Sequence, residues 1–178
     1  IPNISRSIRR AHFYLILALA AAAAQAELPP KTSVLAGPSA GFQLPACSRS
    51  TAGPVEGGWE VRNDEIIAME QALAQLLPAL AARDGYTPGT ENPDPLTYRP
   101  NDPRWQREVF GITRGGKRLI YANFVPADIM PDQRHMPTNV CDGGPAFFGV
   151  EFDPAAGQIT HIAFNGALGG PFWPVYTP

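Results

Sequence analysis

Trp105-Gln106-Arg107-Glu108-Val109-Phe110-Gly111-Ile112-Thr113 and Arg118-Leu119-Ile120-Tyr121-Ala122-Asn123-Phe124-Val125 are two β-type runs separated by Arg114-Gly115-Gly116-Lys117. Gly-Gly between such runs signals a two-residue hairpin, because the turns that match strand twist need positive φ at their central residues. With Gly115 and Gly116 as the turn, Arg114 faces Lys117, Ile112 faces Leu119 and Phe110 faces Tyr121. A second hairpin is expected downstream, where residues 146–152 and 158–165 flank Asp153-Pro154-Ala155-Ala156-Gly157. That turn has proline early and glycine last. Phe148, Val150 and Phe152 alternate onto one face, as do Ile162 and Phe164, while Gly149, Glu151, His161 and Ala163 take the other. One greasy and one mixed face is how an antiparallel sheet looks when a helix covers one side.

The covering helix is written upstream. Ile66, Met69, Leu73, Leu76 and Leu80 recur at spacings of three and four, and Ile67 and Leu77 widen the stripe. Asn63 can cap this helix, Asp64 and Glu65 place negative charge on its positive end, and Asp84-Gly85 supplies the stop. The spacing thus predicts a helix over 63–84, with a kink or break at Pro78. Pro29, Pro30, Pro38, Pro45 and Pro54 make 27–58 irregular coil, and five prolines between residues 85 and 104 make that stretch a surface crossing. The tail after Asn165 is rich in glycine and proline, although Phe172, Trp173 and Tyr176 need somewhere to pack. The expected fold class is α+β: one long helix packed on a four-stranded antiparallel sheet.

At 178 residues the chain suggests one domain, and 44% hydrophobic content is enough for a core. A net charge of −2 lacks the basic stripe a nucleic-acid binder needs. Arg6, Arg9 and Arg10 precede an apolar run over 13–24, and Ala24-Gln25-Ala26 follows as a small-x-small cleavage site. This is the layout of a secretory signal peptide, and the run is too short for a membrane-spanning helix, which needs about 20 residues. The predicted organisation is a signal peptide at 1–26, irregular coil at 27–58 and a single α+β domain at 59–178. The mature form then lacks a membrane span and resides in the periplasm or outside the cell. Losing three arginines and no acid shifts its net charge from −2 to −5.

Export bears on Cys47 and Cys141, the only cysteines. In an oxidising compartment a disulfide is the default for such a pair, and closing this loop would stabilise the fold by roughly 4 to 5 kcal/mol. Zinc would need more ligands than the two mature histidines, His135 and His161, readily supply. Unpaired thiols are the remaining alternative.

The order of one helix followed by two hairpins, over about 60–165, resembles the cystatin-like group of folds, in which a sheet grips a single helix. The glycine near the mature start and the Q-x-V-x-G loop of cystatin inhibitors are missing. The stretch Val140-Cys141-Asp142-Gly143-Gly144 with 147–152 is similar to segments of exported bacterial proteins that have no assigned activity.

The chemistry the residues allow is sparse. After removal of the leader, Ser33, Ser39, Ser48 and Ser50 all sit in the amino-terminal coil, with no G-x-S-x-G elbow. A Cys141–His161 pair would need a free thiolate, against which the expected cystine competes. By alternation His161 lies beside Glu151 and across from Gly149, whose small side leaves room above the sheet; Asp142 or Glu151 could orient it as an acid/base group. Gly143 and Gly144 either aim backbone donors at an anion or simply turn the chain into a strand. Trp105, Phe124 and Phe147 are expected as a shallow apolar patch on the mixed face. Phosphate-loop, dinucleotide and metalloprotease motifs are absent, so no cofactor or metal is expected. These features point to an exported binding or inhibitor-like domain for a protein or small ligand. A small hydrolase or lyase using His161 with Asp142 or Glu151 is the alternative.

Overall fold

Two short strands come first, β1 (Thr32–Leu35) and β2 (Gly57–Gly58), followed by one helix, α1 (Asn63–Leu80). Four longer strands complete the fold: β3 (Trp105–Arg114), β4 (Lys117–Pro126), β5 (Phe148–Asp153) and β6 (Gln158–Phe164). The computed structural model describes residues 27–42, 49–83, 85–87, 93–129, 136–170 and 172–178. The expected leader, Cys47 and His135 lie outside them.

Both expected hairpins form, the first in its expected register and the second with His161 one pair away from its expected place across from Gly149. Gly115 and Gly116 turn the chain with φ of 56° and 73°, and Arg114 pairs with Lys117, Ile112 with Leu119 and Phe110 with Tyr121. In the second hairpin Phe148 pairs with Phe164, Val150 with Ile162 and Glu151 with His161. Gly149 faces Ala163 rather than His161, so the histidine stands directly opposite the carboxylate.

The four-stranded antiparallel sheet is corrected to a six-stranded mixed one. Its order is β1-β3-β4-β5-β6, with β2 also on β3; β1 runs parallel to β3 and β2 antiparallel. The segment 27–58, expected as irregular coil, therefore supplies two strands and a 3-10 turn at Gly37–Phe42. The physical reason is the outer edge of β3, whose backbone groups need partners wherever side chains bury them. Glycines make the approach close enough. A Cβ at Gly37 would collide with the Gly111 carbonyl oxygen, and one at Gly111 with the Trp59 carbonyl oxygen.

α1 begins one residue earlier than a cap at Asn63 implies. Arg62, extended at φ −89° and ψ 153°, takes the cap position, and the Glu65 carboxylate accepts its N–H at 2.9 Å. The helix continues past Pro78 to Leu80 and ends short of the expected residue 84. Ala82 and Arg83 then donate three residues back, to Ala79 and Leu80, in a tightened closing turn. A proline this close to the end removes a bond from a turn that is already finishing.

Ile66, Met69, Leu73, Leu77 and Leu80 are buried against Val109, Ile120, Ala122, Val150 and Ile162 of the sheet. Phe124 and Phe148 stack at 4.6 Å between centroids, with Trp105 edge-on to both. This layer holds most of the buried apolar area, worth roughly 1.5–3 kcal/mol per large side chain before ordering entropy. On the opposite face Ala40, Phe110, Ile112, Leu119 and Tyr121 form a smaller cluster, onto which Leu35 and Val55 pack. The sheet is thus covered on both sides at one end.

Candidate functional site

The mixed face of β3–β6 is where the sequence places its chemistry, and the structure fills it with polar side chains covered by two segments, 49–56 and 136–142. Arg49, only 7% exposed, reaches over the sheet. It donates through Nε to Asn165 Oδ1 and through Nη1 to Tyr121 Oη and Asn123 Oδ1, each at 2.9 Å. Asn123 Nδ2 donates onward to Glu108 Oε2 at 2.8 Å and to the Thr138 carbonyl at 3.2 Å. Glu108 Oε1 accepts from both the N–H and the hydroxyl of Thr138. A buried cation and a buried carboxylate are thereby joined through one amide, with the hydrogen bonds that buried charges require.

Gly149 explains where the guanidinium goes. A Cβ there would sit 2.6 Å from Tyr121 Oη and 2.9 Å from Arg49 Nη1. The room expected above Gly149 exists, and Arg49 occupies it. Burial pushes the Tyr121 phenol above its ordinary range, with Glu151 and Glu108 adding to the rise and Arg49 opposing it.

Glu151 and His161 share the face but not a bond. Both Glu151 oxygens accept from Arg114 Nη1, at 2.8 and 2.6 Å. Arg114 also donates through Nε to the Pro54 carbonyl and through Nη2 to the Gly53 carbonyl, both at 2.9 Å. His161 is 6% exposed; its Nε2 lies 3.3 Å from the Ser50 carbonyl, and its Nδ1 is buried without a partner. A carbonyl only accepts, so Nε2 carries the proton in that contact. No carboxylate among the described residues is hydrogen-bonded to this ring.

The remaining expected site residues separate. Asp142 is exposed, and its carbonyl, with that of Val140, accepts from Asn165 Nδ2. Gly143 and Gly144 adopt φ of 102° and 70°, and the Gly144 N–H is spent on the Gly166 carbonyl. Trp105, Phe124 and Phe147 are a correction: at 0%, 0% and 4% exposure they belong to the main core, not to a surface patch. Pairing decides this, because Phe124 shares a face with Phe148 and the helix-side residues. Cys141 is exposed and is not a free thiol.

A second charged constellation lies on the helix side. Arg107, fully buried, is ion-paired to Glu70 of α1 and donates to the carbonyls of Pro30, Trp105 and Asp102 and to Tyr98 Oη. The second Glu70 oxygen accepts the Asn101 N–H at 2.9 Å. Burial first, and Glu70 second, hold the Tyr98 phenol far above its ordinary range against the opposing pull of Arg107. The hub joins α1 to β3 and ties the backbone at Pro30, Asn101 and Asp102 to both.

The outer surface carries what the interior does not. Leu168 is 99% exposed, Phe172 73% and Val175 41%, all on the tail beyond Asn165. From Pro154 to Pro178 the chain has no Asp, Glu, Lys or Arg. The tail is held in place: Trp173 packs edge-on to Tyr86 and Phe164, Tyr86 Oη donates to the Pro174 carbonyl at 2.6 Å, and Tyr176 exchanges two backbone bonds with Ile162. Hollows of about 540 and 480 Å³ open elsewhere, at the loop 97–104 and between the hairpin turns beside Glu65, Lys117, Arg118 and Asp153. His161 lines neither.

Sequence reasoning missed Arg49, Arg114 and the exposed Leu168, and it expected Phe172 to pack, whereas of the tail aromatics Trp173 is buried and Phe172 stays exposed. The exposure of Leu168 and Phe172 had a readable signal, large apolar residues set among glycines in an uncharged stretch. Comparison with protein-family models, curated proteins and solved structures finds no match. Among the described residues no helix is long and apolar enough to cross a membrane, and no group of three His, Cys, Asp or Glu is placed to hold a metal ion.

Proposed function

We propose that this chain is a small exported binding domain that engages a protein or small ligand through its uncharged carboxy-terminal tail. The observation that carries the reading is the exposure of Leu168 and Phe172 on a segment anchored by Trp173 and Tyr176. Protruding apolar side chains on a fixed backbone bury area on contact without a large ordering cost. The leader at 1–26 directs the protein to the periplasm or beyond, where Cys47 and Cys141 pair. Asn165 supports that pairing. It accepts from Arg49, two residues after Cys47, and donates to the carbonyls on either side of Cys141.

The helix-then-meander order favours an inhibitor-like mode of binding, although the absence of the Q-x-V-x-G loop speaks against cystatin-type protease inhibition. The hydrolase or lyase alternative has less support, since Arg114 occupies the Glu151 carboxylate and Asp142 stands away at the surface. Immobilised oxidised domain, wild type beside Leu168→Ser/Phe172→Ser, tests the reading against envelope extract or culture fluid. A component retained by the wild type and lost by the variant is expected. Equal retention by both would remove the tail from the account.

A further inference from the structure

The segment 50–56 is fixed at both ends and held in its middle almost entirely by polar contacts. Upstream, Arg49 is buried on three acceptors; downstream, Gly57 and Gly58 pair with Thr113 and Ile112. Between these anchors Ser50, Thr51, Ala52, Pro54 and Glu56 are exposed, and Val55 makes the one partly buried apolar contact. Its polar anchors are few. The Ser50 carbonyl meets His161 Nε2, the Gly53 and Pro54 carbonyls accept from Arg114, Glu56 donates its N–H to the Thr113 carbonyl, and its carboxylate accepts the Gly115 N–H.

We propose that 50–56 is a strap that lifts as a unit while the rest of the fold stays intact, with Arg114 as its clasp and His161 as the group it uncovers. Segments with little buried apolar area and solvent-facing hydrogen bonds open at lower free energy than the core beneath them. Arg114 is the clasp because one guanidinium serves the strap and the sheet together: two strap carbonyls on one side, both Glu151 oxygens on the other. Beneath the strap lies a cross-strand Glu151–His161 pair held unbonded, with the imidazole Nδ1 lacking any partner. Lifting the strap gives that nitrogen access to solvent. Release of the clasp frees Glu151, its direct neighbour across the strands, to bond it. The inference does not depend on the tail reading, so either can fail alone.

The experiment measures modification of His161 by diethylpyrocarbonate in the oxidised mature protein, mapped by peptide mass, at denaturant concentrations below the global transition. Tryptophan fluorescence reports the core in the same samples. His161 is expected to react while fluorescence remains native, and amide exchange at Glu56 is expected to follow the same dependence. Arg114→Met is expected to react about tenfold faster at unchanged fluorescence, the equivalent of roughly 1.4 kcal/mol taken from the clasp. Modification of wild-type His161 only in parallel with loss of native fluorescence overturns the proposal, whether or not the variant folds. An Arg114→Met protein that folds and reacts at the wild-type rate overturns the clasp.

Discussion

Replacing Glu70 with alanine tests how the helix is fixed to the sheet. The substitution strands the fully buried Arg107 guanidinium and removes the acceptor of the Asn101 N–H. Breaking a buried pair by deleting one partner costs about 3–5 kcal/mol, because the remaining charge is left uncompensated. Arg107 keeps the carbonyls of Pro30, Trp105 and Asp102 and the Tyr98 hydroxyl, which places the expected loss near the lower end, about 3 kcal/mol. Against a total of roughly 5–15 kcal/mol that is a large share. In urea, with a slope near 2 kcal/mol/M, the midpoint is expected to fall by about 1.5 M at unchanged slope. Glu70→Leu combined with Arg107→Met is expected to be less destabilised than the sum of the two single changes by at least about 1 kcal/mol, the mark of a coupled pair. A Glu70→Ala loss below about 1 kcal/mol, or strict additivity in the double variant, would show that the pair does not hold the helix and would refute the reasoning.

Gly149→Ala puts a methyl group where Arg49 and Tyr121 already meet, so a loss of roughly 1–3 kcal/mol is expected on thermal or urea unfolding; a neutral result would mean that Arg49 does not lie there. Tyr86, Tyr98 and Tyr121 are each held above the ordinary phenol range, burial being the largest cause. Their folded values lie above the unfolded one, so the stability they contribute is complete below about pH 10 and is lost as pH rises beyond it. Alkaline absorbance titration is expected to show these phenols ionising late, together with unfolding, and their early ionisation in the native state would contradict the burial.

The long-range outline of the fold was legible because its signals are local and strong. Gly115-Gly116 sets the register of the first hairpin, and the alternation of Phe148, Val150 and Phe152 sets the buried face of the second, though not its register. The helix announced itself through Ile66, Met69 and Leu73. What escaped was the pairing of weak elements. β1 is four residues long, with Thr32 and Val34 its only β-branched residues, and β2 is two glycines, so both are too short to stand out as strands, and both form because β3 offers an open edge. A sign was present in Gly111, a glycine inside a strand run, which marks a close backbone approach. At the site, the histidine and the carboxylate were correctly placed on one face. No local pattern shows that Arg114, 37 residues away from Glu151, already occupies it. Trp105 and Phe124 were misplaced because an aromatic run reads equally well on either face until the partner strand is known.

The claim on which the functional account turns is that recognition resides in the tail and not at the histidine. Its most direct test is retention of a ligand from envelope extract or culture fluid by three immobilised proteins: wild type, His161→Ala and Leu168→Ser/Phe172→Ser. The account predicts that wild type and His161→Ala retain the same component and that the tail variant loses it. Retention by the tail variant together with loss in a folded His161→Ala protein would contradict it.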